Sequence, residues 1–188
     1  MGHTGRACWR AFWSSAFERR AWGRCPFDYG RRLLKVFFFH GLESGPHGSK
    51  YQTISKTYGV TSPDFQGLDL EARVAKAEAE TAGLEDIIVV GSSFGGLVAA
   101  LLYDRHPERF RTYILLAPAI YDERSSGISR APKDGVVIHG THDDVVPIEP
   151  VQAFAAKHHL RFIEVDDEHR LAASHDVIME ALAQANAG

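Results

Sequence analysis

Ile87-Ile88-Val89-Val90-Gly91-Ser92-Ser93-Phe94-Gly95 is the stretch on which the fold turns. Four apolar, strand-forming residues run into a glycine-framed serine, and a helix-like stretch from Leu97 to His106 follows at once. Glycines two residues either side of Ser93 let the chain turn sharply from strand to helix, leaving that hydroxyl exposed in a strained elbow. The candidate nucleophile is therefore Ser93 rather than Ser92. A five-residue pattern of this kind also arises by accident in glycine-rich turns, so its surroundings must decide.

Three surroundings agree. The strand, elbow and helix order is the one the chemistry needs. Upstream, the apolar run Leu33 to Phe39 ends in His40-Gly41-Leu42, where a glycine lets backbone N–H groups turn toward a developing negative charge. Downstream, the strand-like Val136-Val137-Ile138 leads into His139-Gly140-Thr141-His142-Asp143-Asp144-Val145-Val146-Pro147. A further strand, Leu160 to Val165, leads into Asp166-Asp167-Glu168-His169-Arg170. The order is serine, acid, histidine.

With His40-Gly41, Gly91-x-Ser93-x-Gly95, His139-Gly140-x-x-Asp143-x-x-Val146-Pro147 and Asp167-x-His169 in this order, residues 33 to 186 resemble the alpha/beta-hydrolase superfamily. Within it they resemble the small single-domain serine esterases with minimal or no lid. The resemblance implies an α/β fold, with a mostly parallel sheet and helices on both faces. It also implies Ser93 as nucleophile, His169 as general base and then acid, and Asp143 as the carboxylate that orients the imidazole. The oxyanion hole it implies is formed by the backbone N–H groups of Leu42 and Phe94.

Rival assignments stay open at this point. Asp144 follows the same strand as Asp143, although the spacing from Gly140 and to Pro147 favours Asp143. Asp122 follows the apolar run Tyr113 to Ala117, where some relatives place the acid. His175 competes with His169 but falls in the pattern Ala172 to Ala185, which reads as a final helix. His40 reads as a hydrogen-bonding support for the oxyanion loop. His139, His142, Asp143 and Asp144 could be read as a metal cluster, yet nothing forces the two histidines into one coordination sphere, so no metal and no cofactor is expected. His158 and His159 close a helix-like stretch from Glu149, where cationic side chains suit the negative end of the helix dipole.

The coarse order is strand 33 to 39, helix 49 to 57, strand 60 to 62, helix 69 to 82, strand 86 to 90, the nucleophile helix to His106, a strand to Ala117, strand 136 to 139, a helix from 149, strand 160 to 165 and a last helix. Asp69 is placed to cap the helix from 69, Leu70, Val74, Ala77 and Thr81 to line one of its faces, and Gly83 to end it. Strands alternating with helices imply parallel pairing. Only the stretch from Pro118 to Gly135 separates two successive strands where larger relatives insert a lid.

At 188 residues and 45% hydrophobic composition the chain suits one core. A net charge of −3 argues against general nucleic-acid affinity, and no apolar run is long enough for an integral membrane span. Charge is uneven: residues 1 to 35 carry +6 and the remainder −9. All three tryptophans and both cysteines lie in that basic start, and cysteines confined there give no disulfide framework. The organisation read from this is a basic extension over residues 1–30 and a hydrolase domain over 31–188. The extension has three readings: a start placed too far upstream, an amphipathic helix docking on the domain or a membrane surface, or a transit peptide. The working expectation is a cytoplasmic enzyme cleaving short-chain carboxylic esters or thioesters through an acyl-enzyme. The alternatives are a ligand-binding or sensing module without turnover, or a carbon–carbon hydrolase on the same scaffold.

Overall fold

The structure, a computed structural model, describes residues 35–187. The basic extension and its three readings lie outside the described residues.

Among the described residues six strands form one parallel sheet in the order β2-β1-β3-β4-β5-β6. They are β1 (Lys35–Phe39), β2 (Val60–Thr61), β3 (Ile87–Ser92), β4 (Phe110–Leu116), β5 (Val136–Gly140) and β6 (Arg161–Val165). Five helices among the described residues connect and flank them: α1 (Ser49–Ser55), α2 (Leu70–Glu80), α3 (Phe94–Arg105), α4 (Ile148–Lys157) and α5 (His175–Ala187). Short 3-10 turns cover Pro107–Arg109 and Glu123–Ser125.

Because side chains alternate across a strand, each central strand feeds two cores. Phe37, Phe39, Ile87, Val89, Tyr113, Leu115 and Val137 pack with α2, α3 and α4 on one face. Val36, Phe38, Ile88, Val90, Ile114, Leu116 and Ile138 pack with α1 and α5 on the other. Strands buried on both faces read as unbroken apolar runs, which is why β3 and β4 were plain in the sequence.

The chain leaves β1 for β2 on one side and returns to β3 on the other, so β1 and β3 are neighbours with connections diverging from them. A crevice opens outside the carboxyl ends of strands at such a switch point. Phe39 pairs with Gly91 there, placing His40-Gly41 and Ser92-Ser93 side by side.

Helix ends follow the sequence signals with small shifts. The Asp69 carboxylate accepts from the Ala72 N–H at 2.9 Å, and Gly83 takes φ +69 just past α2. The last helix starts at His175 and not at Ala172, because residues 172–174 are used by the loop before it: Asp167 accepts from the Ala173 N–H and the Ser174 hydroxyl. The connection from β4 to β5 holds a single 3-10 turn and no inserted lid, and it packs down through buried Ile120 and Ile128. No helix among the described residues is long and apolar enough to cross a membrane.

Candidate active site

Ser93 sits at the junction of β3 and α3 with φ 53 and ψ −119, a conformation that costs an ordinary residue roughly 1–3 kcal/mol. Its backbone is held from both sides. The Ser93 N–H donates to the Leu116 carbonyl at 2.8 Å, and its own carbonyl accepts from Gly96 and from Ala119. The flanking glycines are a steric requirement: a Cβ on Gly91 would lie 2.6 Å from the Gly95 oxygen, and one on Gly95 would run into the Phe39 carbonyl. Ser92 ends β3 and is buried, whereas the Ser93 side is partly open.

The Ser93 Oγ lies 3.0 Å from His169 Nε2, and His169 Nδ1 lies 2.8 Å from Asp143 Oδ2. A carboxylate only accepts, so Nδ1 carries the imidazole proton and Nε2 is left with a lone pair facing the serine hydroxyl. Asp143 is fully buried in its side chain and completely paired. Its Oδ1 accepts from the N–H groups of Val145 at 2.9 Å and Val146 at 2.8 Å. His139 Nε2, which donates to the Val146 carbonyl at 3.1 Å, approaches Oδ2 to 3.3 Å.

The rival acids and bases are elsewhere. Asp144 is exposed. Asp122 is occupied by Arg124, which approaches it to between 2.5 and 3.0 Å. His175 bonds through Nδ1 to the Thr53 hydroxyl of α1 at 2.9 Å. The two histidines considered as metal ligands are not brought together. His139 is buried and stacked on Phe162, while His142 faces solvent and pairs with Asp166 at 2.8 Å. Among the described residues no group of three or more His, Cys, Asp or Glu is arranged to hold a metal ion.

His158 is the residue that closes α4, and burial, with Lys157 beside it, lowers its pKa. The helix ends by backbone geometry, with His159 in the left-handed region at φ 55.

Two supports were not apparent in the sequence. A Cβ on Gly140 would run into the Asp167 carbonyl and lie 2.9 Å from that of Glu168, so this glycine lets the acid loop and the histidine loop touch. Asp167 then braces the histidine loop. Burial works against its charge, but hydrogen bonds from Ser174 and from the Glu168 and Ala173 N–H groups outweigh it and hold its pKa low.

The second is Arg73, fully buried on α2 behind the His40-Gly41 turn. Its Nη1 donates to the carbonyls of Gly41 at 3.2 Å and His40 at 3.4 Å, and its Nε to that of Leu68 at 2.9 Å. Its guanidinium lies 5.2 Å from the Phe94 ring centre and 5.7 Å from that of Phe65. His40 is buried beside it. Its Nε2 accepts from the Phe65 N–H at 2.8 Å, which leaves Nδ1 protonated to donate to the Gly41 carbonyl at 2.8 Å. Burial lowers the His40 pKa and favours this neutral tautomer.

Known proteins resemble this chain in fold and, over part of its length, in sequence. Searching curated proteins finds no match. Among solved structures, a Xanthomonas campestris chain assigned to the alpha/beta hydrolase superfamily is 23% identical, with a TM-score of 0.71 over 82% of this chain and 97% of that one. Est1E from Butyrivibrio proteoclasticus is 16% identical, with a TM-score of 0.68 over 83% and 89%. A monoacylglycerol lipase from Paleococcus ferrophilus is 14% identical, with a TM-score of 0.67 over 80% and 94%. At these identities the likeness is one of fold. A family model described as alpha/beta hydrolase fold matches residues 39–132, half of the chain, from the end of β1 through the serine elbow and α3. The chain belongs to the alpha/beta hydrolase fold family.

Proposed function

We propose that this protein is a serine hydrolase that cleaves short-chain carboxylic esters or thioesters through an acyl-enzyme, and that residues 31–188 carry the activity. The observation that supports it most is the continuous chain from Ser93 Oγ through His169 to the buried Asp143, at 3.0 and 2.8 Å. In this reading Ser93 Oγ attacks the substrate carbonyl carbon while His169 Nε2 takes the hydroxyl proton. Asp143 holds the imidazole in the required tautomer and stabilises the imidazolium. The new oxyanion faces the N–H groups of Phe94 and Leu42. Phe94 is the first residue of α3, so its N–H has no carbonyl within the helix to bond, and each such donor is worth about 3 kcal/mol in the transition state. Collapse expels the alcohol or thiol, which receives the proton from His169. Water then repeats the sequence on the acyl-enzyme and releases the acid.

The rim favours an apolar substrate of modest size. Leu42, Tyr121 and Val145 are the large hydrophobic residues exposed among the described residues. All three lie on loops at the carboxyl end of the sheet. With one 3-10 turn where a lid would stand, no described segment would enclose a long acyl chain. An acyl-length series should therefore peak in kcat/KM at short chains, and a maximum beyond about ten carbons would contradict the reading, since uncovered methylenes gain little burial.

Fluorophosphonate labelling read by intact mass tests the serine. One adduct is expected on the wild type and on Ser92→Ala, and none on Ser93→Ala. A folded wild type that takes no label would refute it.

A further inference from the structure

We propose that Arg73 is a positioning residue for the oxyanion hole, aiming the Leu42 N–H by holding the carbonyl on the same peptide. This rests on the reading of Leu42 as an oxyanion donor. The Gly41 carbonyl and the Leu42 N–H belong to one planar peptide unit, and in a trans peptide they point in opposite directions. No cis peptide is present among the described residues. Whatever grips the Gly41 oxygen therefore sets the direction of the Leu42 N–H. Two donors grip it, the neutral His40 Nδ1–H at 2.8 Å and the Arg73 guanidinium at 3.2 Å. Gly41 itself is against the nucleophile, its Cβ position lying 3.4 Å from Ser93 Cβ.

Arg73 also reaches the second donor. Its guanidinium packs on the ring of Phe94, so one side chain bears on both residues whose N–H groups face the oxyanion. Arg124 approaches the same ring to 5.3 Å, but it is exposed and committed to Asp122.

Burying this guanidinium carries a desolvation cost, which its hydrogen bonds to three carbonyls offset. Here it meets carbonyl oxygens and ring faces, and its rigid fork spans Leu68 on one side and His40-Gly41 on the other, which a lysine point charge cannot do. A cation on the carbonyl end also polarises the peptide, making its N–H a stronger donor at the opposite end.

The test uses the full chain with p-nitrophenyl butyrate as substrate and an alkyl trifluoromethyl ketone, whose adduct with the serine carries an oxyanion. In Arg73→Met, kcat should fall about 10- to 100-fold, less than outright loss of a donor. KM should stay within about twofold, and affinity for the ketone should fall by the same factor as kcat, the signature of an interaction made in the transition state. Arg73→Lys should recover part of both. If Arg73→Met does not fold, Arg73→Gln, neutral but able to donate, is read by the same criteria. Unchanged kcat and ketone affinity in a folded variant would overturn the proposal, as would a loss of kcat with ketone affinity intact, or Lys no better than Met. These outcomes differ from failure of the catalytic reading, which would appear as a wild type that neither hydrolyses the ester nor takes the fluorophosphonate.

Discussion

Asp143→Asn should cost about 10⁴ in kcat, or roughly 5 kcal/mol of transition-state stabilisation, while leaving the fold intact. Asparagine offers one acceptor oxygen where aspartate offers two. The Oδ1 site receives two backbone N–H groups, from Val145 and Val146. An amide NH₂ there would face two donors, so the oxygen takes this site and the NH₂ turns to His169. His169 Nδ1 must then accept, its proton moves to Nε2, and that N–H points at Ser93 Oγ across 3.0 Å. The serine loses its base without any atom being displaced. Second-order labelling by a fluorophosphonate and kcat on a short p-nitrophenyl ester should fall together, with an unchanged thermal midpoint. Asp144→Asn, on an exposed neighbour, is the control and should change neither. Retention of labelling within about tenfold of wild type in Asp143→Asn, or equal loss in Asp144→Asn, would refute the tautomer reasoning.

Two further substitutions test other parts of the structure. Gly140→Ala should push the histidine loop off the acid loop and lower kcat about 100-fold, since an ångström of misplacement is enough; normal kcat would mean the contact with the Asp167 carbonyl yields easily. Lys50, the second residue of α1, has its pKa pulled down from 10.5 to about 8 by burial, with Asp167 raising it and Arg170 lowering it. Because its folded pKa lies below the unfolded one, the charged form penalises the fold below pH 8, and stability rises as pH climbs from 8 toward 10.5. Lys50→Met should be more stable than wild type at pH 7, by up to about 3 kcal/mol. Urea midpoints measured from pH 7 to 10.5 should show that gain shrinking; a gain independent of pH would place its origin elsewhere.

What could be read before folding was whatever a strand or a turn writes locally. β3 and β4 are doubly buried and read as apolar runs, and the glycines around Ser93 mark a turn that admits no Cβ. That Ser93, Asp143 and His169 lie in three loops follows from spacing; that they come within hydrogen-bonding distance depends on β3, β5 and β6 ending at one edge. Arg73 was hidden by its charge. It stands three residues after Leu70 and four before Ala77, the helical spacing of an inward face, yet a charged residue reads as solvent-facing. The contact of Gly140 with the Asp167 carbonyl has no local signature, because the two residues are brought together by the pairing of β5 with β6.

β6 ends the described sheet, with β5 its neighbour and a face that is partly exposed along its length. The imidazole follows directly from it, whereas Ser93 is anchored between central strands. Edge strands open at lower free energy than central ones. The two halves of the proposed proton-transfer pair thus belong to regions of unequal resilience. Heat or denaturant should then end the proposed activity by letting the outermost described strand peel away with His169, leaving the serine in place within an otherwise native sheet.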